Sequence, residues 1–136
     1  MKIRSGSSPV YAACAAAAIA FGAPPAHAEA AYPNKPVRIV VNFTPGGPLD
    51  ILARAVAEAM QKELKQPFIV DNKPGAAGNL GADQVAKAPG DGYTVLVSID
   101  STFTVNPALY AAMPFASKDL KPLLVLASSG LAFAVN

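Results

Sequence analysis

The chain has 136 residues, near the size of one ordinary domain, with 11 Lys+Arg against 9 Asp+Glu and a formal net charge of +2. Lys2 and Arg4 account for that excess. The rest of the chain is neutral and gives no electrostatic reason to invoke nucleic acid or an anionic membrane as partner. Its single cysteine, Cys14, and single histidine, His27, both fall in the first 28 residues. Residues 29–136 therefore hold no disulfide, no His or Cys metal site and no Ser–His or Cys–His catalytic pair.

Residues 1–28 read as a secretory signal peptide. Lys2 and Arg4 form a basic n-region, 10–23 is an Ala-rich apolar stretch, and Ala26-His27-Ala28 is an A-x-A cleavage site before Glu29. The stretch is too short and too weakly apolar for a membrane anchor. Cys14 lacks an aliphatic residue three positions before it, which argues against lipidation. Export to the periplasm is expected, with no membrane insertion after cleavage.

Pro33 and Pro36 keep a short lead-in extended. Val37, Ile39, Val40, Val41 and Phe43 then form a near-continuous apolar run, expected for a strand over 37–43 that is covered on both faces. Thr44-Pro45-Gly46-Gly47 breaks it. Two glycines let backbone amides approach a ligand with no Cβ in the way. Pro48 suits a first helical position, and Asp50 falls in the first turn, where a carboxylate favours the helix dipole and accepts from free amides. A helix over 48–64 is predicted, with Leu52, Val56, Ala59, Met60 and Leu64 as its apolar face.

Strands are predicted near 67–71, 93–99 and 122–127, and a second helix over 79–88. The order β-α-β-α-β is the signature of an α/β parallel sheet. At the carboxyl end of the third strand, Asp100-Ser101-Thr102 forms a polar loop where open α/β sheets bind ligands. Ser101 and Thr102 hydroxyls suit a carboxylate, whereas ionised Asp100 cannot donate to one. A capping loop is an equally simple reading. Gly75, Gly78 and Gly81 are spaced neither as a dinucleotide fingerprint nor as a P-loop, leaving a βα turn packed close to the sheet. Asn79 suits a cap at the start of that second helix. For Thr44-Pro45-Gly46-Gly47 the residues alone leave open an anion site at a helix N-terminus and an ordinary turn.

Y-P-N-K-P-V-R-I-V-V-N-F-T-P-G-G-P-L-D (32–50) closely resembles the opening of the Bug-type solute receptors, the periplasmic substrate-binding components of tripartite tricarboxylate transporters. V-D-N-K-P-G-A-A-G-N-L-G-A-D-Q-V-A-K-A (70–88) is similar to their second signature, and D-G-Y-T (91–94) and N-P-A-L-Y (106–110) match in order. Asn42 stands where the family usually has Pro, and Leu49 where a small or hydroxyl residue is common. The resemblance implies a parallel-sheet α/β lobe of a two-lobe periplasmic binding protein, type II and Venus-flytrap-like, incomplete in this chain. On that basis 29–127 is expected to be the N-terminal part of the first lobe, and 128–136 the start of a crossover toward a second lobe. It implies a receptor with no enzymatic activity and no cofactor or metal, binding a small carboxylate through Thr44, Gly46, Gly47, Ser101 and Thr102. Asp50, Gly78 and Asn79 then support the site. Delivery to the membrane components of a tripartite transporter is implied as well. Against this stand a carboxylate-binding α/β enzyme fragment and a truncated product with no activity.

Overall fold

The computed structural model describes residues 31–130. The expected signal peptide and the apolar residues 131–135 lie outside the described residues. The first strand, β1 (Val37–Val41), is the centre of a three-stranded sheet. It lies between β2 (Phe68–Asn72) and β3 (Thr94–Val97), parallel to both. Val37, Val40 and Val41 are fully buried, which is the physical content of the unbroken apolar run. The register sets Val41 beside Asn72 on one side and Val97 on the other, so the three strands deliver their carboxyl ends together.

The first helix, α1 (Pro48–Leu64), starts with Pro at its first turn and ends at Lys65, whose φ is +55°. Its buried residues are Asp50, Ala53 and Ala57. The two alanines pack on Ile39, Val41 and Val97, with Leu49, Phe68 and Val70 around them. The expected face of Leu52, Val56, Ala59, Met60 and Leu64 is corrected by about one residue's rotation: Leu52 and Val56 are half-buried, and the other three are exposed. A helix lying on a sheet approaches most closely through its smallest side chains, so alanine wins the innermost row.

Side chains alternate along β1, so Val40 and Asn42 point to the opposite face. There the second helix, α2 (Asn79–Ala86), buries Gly81, Ala82 and Val85. A turn of 3-10 helix (Ala76–Gly78) precedes it. Two four-residue helices, α3 (Ser101–Thr104) and α4 (Asn106–Leu109), come after β3. The strand expected near 122–127 does not form: 121–130 is exposed and pairs with no strand among the described residues, and Val125 is 85% exposed. Apolar and β-branched composition confers the capacity to pair, but a strand exists only through a partner.

Gly81 tests the close fit of α2. A Cβ there would lie 2.8 Å from the Lys73 carbonyl oxygen and 2.9 Å from Asn42 Cα, both on backbone. In a free helix, Gly→Ala stabilises by about 0.8–1 kcal/mol. Overpacking against backbone costs about 1–3 kcal/mol. Gly81→Ala is therefore expected to lower the urea midpoint despite the better helix former. Gly90→Ala, where a Cβ meets nothing within 4 Å, should leave it unchanged.

Candidate functional site

The chain leaves β1 through Asn42 and Phe43 and enters α1 at Pro48, so the intervening loop sits over the helix N-terminus at the carboxyl end of the central strand. Asp50 organises this loop from below. Its Oδ2 accepts from the Gly46 amide at 2.9 Å and from Arg54 Nε at 3.0 Å, while its Oδ1 accepts from Asn72 Nδ2 at 3.0 Å. Asn72 Nδ2 also donates to the Phe43 carbonyl at 3.2 Å, and Arg54 Nη2 donates to Asn72 Oδ1 at 3.2 Å. Asp50 is buried, and the Arg54 hydrogen bond, the Gly46 amide and Asn72 together hold its carboxyl down at about 2.

A second polar cluster lies on the α2 face of the sheet. Asn42 is fully buried, with Nδ2 at 3.1 Å from the Gly78 carbonyl, 2.8 Å from Ser98 Oγ and 3.2 Å from Thr102 Oγ1. A carbonyl only accepts, so Gly78 fixes which end of the carboxamide faces it. Asn79 is also buried. Its Oδ1 accepts from Asn106 Nδ2 at 2.7 Å, and Asn106 Nδ2 reaches the Ala77 carbonyl at 2.9 Å. The two clusters tie the start of α2 to the loop after β3.

A recess of about 330 Å³ opens at the carboxyl ends of β1 and β3, lined by Phe43, Thr44, Gly47, Pro48, Leu49, Ile99 and Ser129. Thr44 and Gly47 line this recess together with Ile99, which follows β3. Gly46 is exposed but turns its amide inward to Asp50, and its φ of +79° is the conformation that calls for glycine. Ser101 is half-buried at the start of α3. Thr102 has no exposure, and its hydroxyl is held among Asn42 and Ser98. Asn79 is no cap: Gly78 occupies that position, with φ +89°, and no side chain caps the helix. Asn42, Asn72 and Asn106 were not legible in the sequence as site residues, because their partners lie far away along the chain. A second recess, between α1 and β2, is lined by Arg54, Ala57, Glu58, Gln61, Phe68 and Val70. Among the described residues no group of three His, Cys, Asp or Glu is placed to hold a metal ion, and no helix is long and apolar enough to cross a membrane.

Asp50 gives the fold an acid limit. Its folded value lies below the ordinary 3.8, so the stability it contributes is complete above pH ~4 and is lost as pH falls toward ~2. Glu58 and Asp91 are lowered too, by the Lys62 hydrogen bond and by the Tyr93 amide respectively, so part of the acid limb is theirs. Denaturant midpoints measured between about pH 5 and pH 2 should fall for the native chain, and Asp50→Asn should flatten the curve in that window. An equally steep curve for the variant would remove Asp50 from this role.

Comparison with known proteins agrees with this architecture. Residues 52–136 match the family described as "Tripartite tricarboxylate transporter family receptor". A UPF0065 protein of Bordetella pertussis (strain Tohama I) is 41% identical over 106 residues, covering 78% of this chain and 32% of the relative. Protein BugT of the same organism is 37% identical over 107 residues, covering 77% and 33%. A solved structure described as a periplasmic transporter superposes with a TM-score of 0.61 at 47% identity, covering 63% of this chain and 29% of that one. The chain thus spans about a third of the length of these relatives. With more than half of its residues matched by that family, and with a parallel α/β sheet shared with a periplasmic protein of solved structure, the chain belongs to the tripartite tricarboxylate transporter receptors, a solute-binding family and not an enzyme family.

Proposed function

We propose that this chain supplies one wall of an extracytoplasmic site for a small organic carboxylate, for delivery to the membrane components of a tripartite transporter. The observation that carries the reading is the recess at the carboxyl ends of β1 and β3, set over the first turn of a 17-residue helix. The first amides of a helix have no intrahelical acceptor, and its dipole favours an anion there. Gly47 and Leu49 supply such amides, and the Thr44 and Ser101 hydroxyls are the nearest candidates to add donors. Gly46 shapes the turn, and Thr102, with Asn42 and Gly78, backs the loop. Phe43, Leu49 and Ile99 suit the hydrocarbon part of the ligand. Residues 1–28 act as the export signal in this reading, 29–127 as part of the first lobe, and 128–136 as the start of a crossover.

The affinity of such a wall is bounded. Each hydrogen bond in a half-open site contributes about 0.5–1.5 kcal/mol. Association costs about 4–15 kcal/mol. Two or three bonds, about 1–4.5 kcal/mol in all, barely offset the lower end of that cost, so millimolar binding by the chain itself (about 4.1 kcal/mol) draws on the apolar contacts of Phe43, Leu49 and Ile99 as well. Titration with di- and tricarboxylates, followed by amide chemical shifts, should move Thr44, Gly47, Leu49 and Ser101 together, and the matching neutral diamides should move none of them. Shifts confined to other residues, or none at millimolar ligand, would refute the site. Gly47 has φ −79°, and a Cβ there would meet only the Thr44 carbonyl oxygen at 3.6 Å. Gly47→Val should therefore keep the melting temperature while weakening binding about tenfold, the equivalent of about 1.4 kcal/mol, by standing between the amide and the anion.

A further inference from the structure

We infer that Asn72 is the positioning residue of the β1–α1 loop, an inference that rests on reading this loop as the carboxylate site. One carboxamide there uses both its donors and its oxygen on the loop and its support. Nδ2 donates to the Phe43 carbonyl, where the loop begins, and to Asp50 Oδ1, whose other oxygen holds the Gly46 amide at the loop tip. Oδ1 accepts from Arg54 Nη2, whose Nε lies on that same Asp50 oxygen. Both ends of the loop are thus referred to a single side chain of the neighbouring strand. The parallel register brings it there: Asn72 is the last residue of β2 and pairs with Val41, the last of β1, and the Lys73 amide continues the ladder to the Val41 carbonyl at 2.8 Å.

No other residue type makes this pattern at the same size. An aspartate is isosteric but cannot donate, so it would face the Asp50 carboxylate and the Phe43 carbonyl with acceptors only. A leucine fills the same space with no polar contact. The charged groups around the position are few. From α1 come Asp50 and Arg54, while Asp71, next along β2, is turned to Arg38 at 2.8 Å and Lys73 at 3.4 Å. A carboxylate introduced beside Asp50 would share a proton with it as pH falls, and the protonated oxygen becomes a donor again.

This gives a readout that simple destabilisation would not mimic. Affinity for succinate, used as the probe, is measured by amide shifts for the native chain, Asn72→Asp and Asn72→Leu, at about pH 7.5 and about pH 5. Ratios to the native chain at each pH cancel the titration of succinate itself. Asn72→Asp should weaken binding about tenfold or more at the higher pH and recover most of the loss at the lower. Asn72→Leu should lose a few-fold at both, lower the melting temperature modestly, and speed hydrogen exchange at the Gly46 amide by more than at amides elsewhere in the sheet. Native-like affinity in both variants would overturn the inference, as would an Asn72→Asp loss that persists or deepens on acidification. Should Asn72→Asp not fold, the leucine variant decides alone through its affinity and Gly46 exchange. If the native chain shows no succinate shifts at this loop, the carboxylate reading fails first, and the positioning role falls with it.

Discussion

Both faces of β1 are sealed, and most of the molecule depends on that constraint. A central parallel strand needs a helix on each side, and each helix must come close enough to exclude water. The sequence meets this with small residues, Ala53 and Ala57 on one side and Gly81 and Ala82 on the other. The strand must also end somewhere. At Asn42 the chain is still buried but already polar, so its carboxamide has to find partners in the elements that cover it. Gly78, Ser98 and Thr102 provide them for Nδ2, while Oδ1 has no partner among the described residues. The end of the central strand is thereby joined to the α2 start and to the loop after β3.

A buried carboxylate beneath a proposed anion site presents an electrostatic problem that the geometry resolves. Asp50 alone would repel a ligand carboxylate. Paired with Arg54 at 3.0 Å and with its oxygens occupied by Gly46 and Asn72, it adds little net charge to the loop above. Its charge acts locally instead, orienting the Gly46 amide inward. The first-turn position that favours Asp50 through the helix dipole also puts it within reach of that amide. One residue thus serves the helix and the loop together.

The parts legible in the sequence were those set by local chemistry. The span 48–64 agrees with Pro48–Leu64, because Pro48 acts at the turn where it stands. The parallel pairing of the first and third strands was implied by the alternation of elements. The innermost face of α1 was misplaced because hydrophobicity ranks leucine above alanine, whereas close approach selects the smaller side chain. The segment 122–127 has strand composition, but composition does not supply a partner. At the candidate site, residue types were readable and directions were not. Thr102 is a donor by chemistry, yet its hydroxyl is enclosed by Asn42 and Ser98. Asn72 lies just past the strand predicted near 67–71, and its role is not readable there because its partners are fixed by the register of β2 against β1, which no local pattern records.

The polar contacts of the loops bear on binding in a further way. A flexible loop must be ordered when a ligand arrives, and the entropy of ordering is subtracted from the affinity. Here the β1–α1 loop is bonded at Phe43 through Asn72 and at Gly46 through Asp50, contacts made wholly within the chain. The β3 end is held likewise by Asn42 and Ser98, and the α2 start by Asn79 and Asn106. None of these contacts need touch a ligand to matter. In the proposed reading these contacts hold the loop that carries the Gly47 and Leu49 amides, so a carboxylate would meet donors with little left to order. A site of few hydrogen bonds can then bind as well as those bonds allow, because little of their free energy is consumed in assembling the loop.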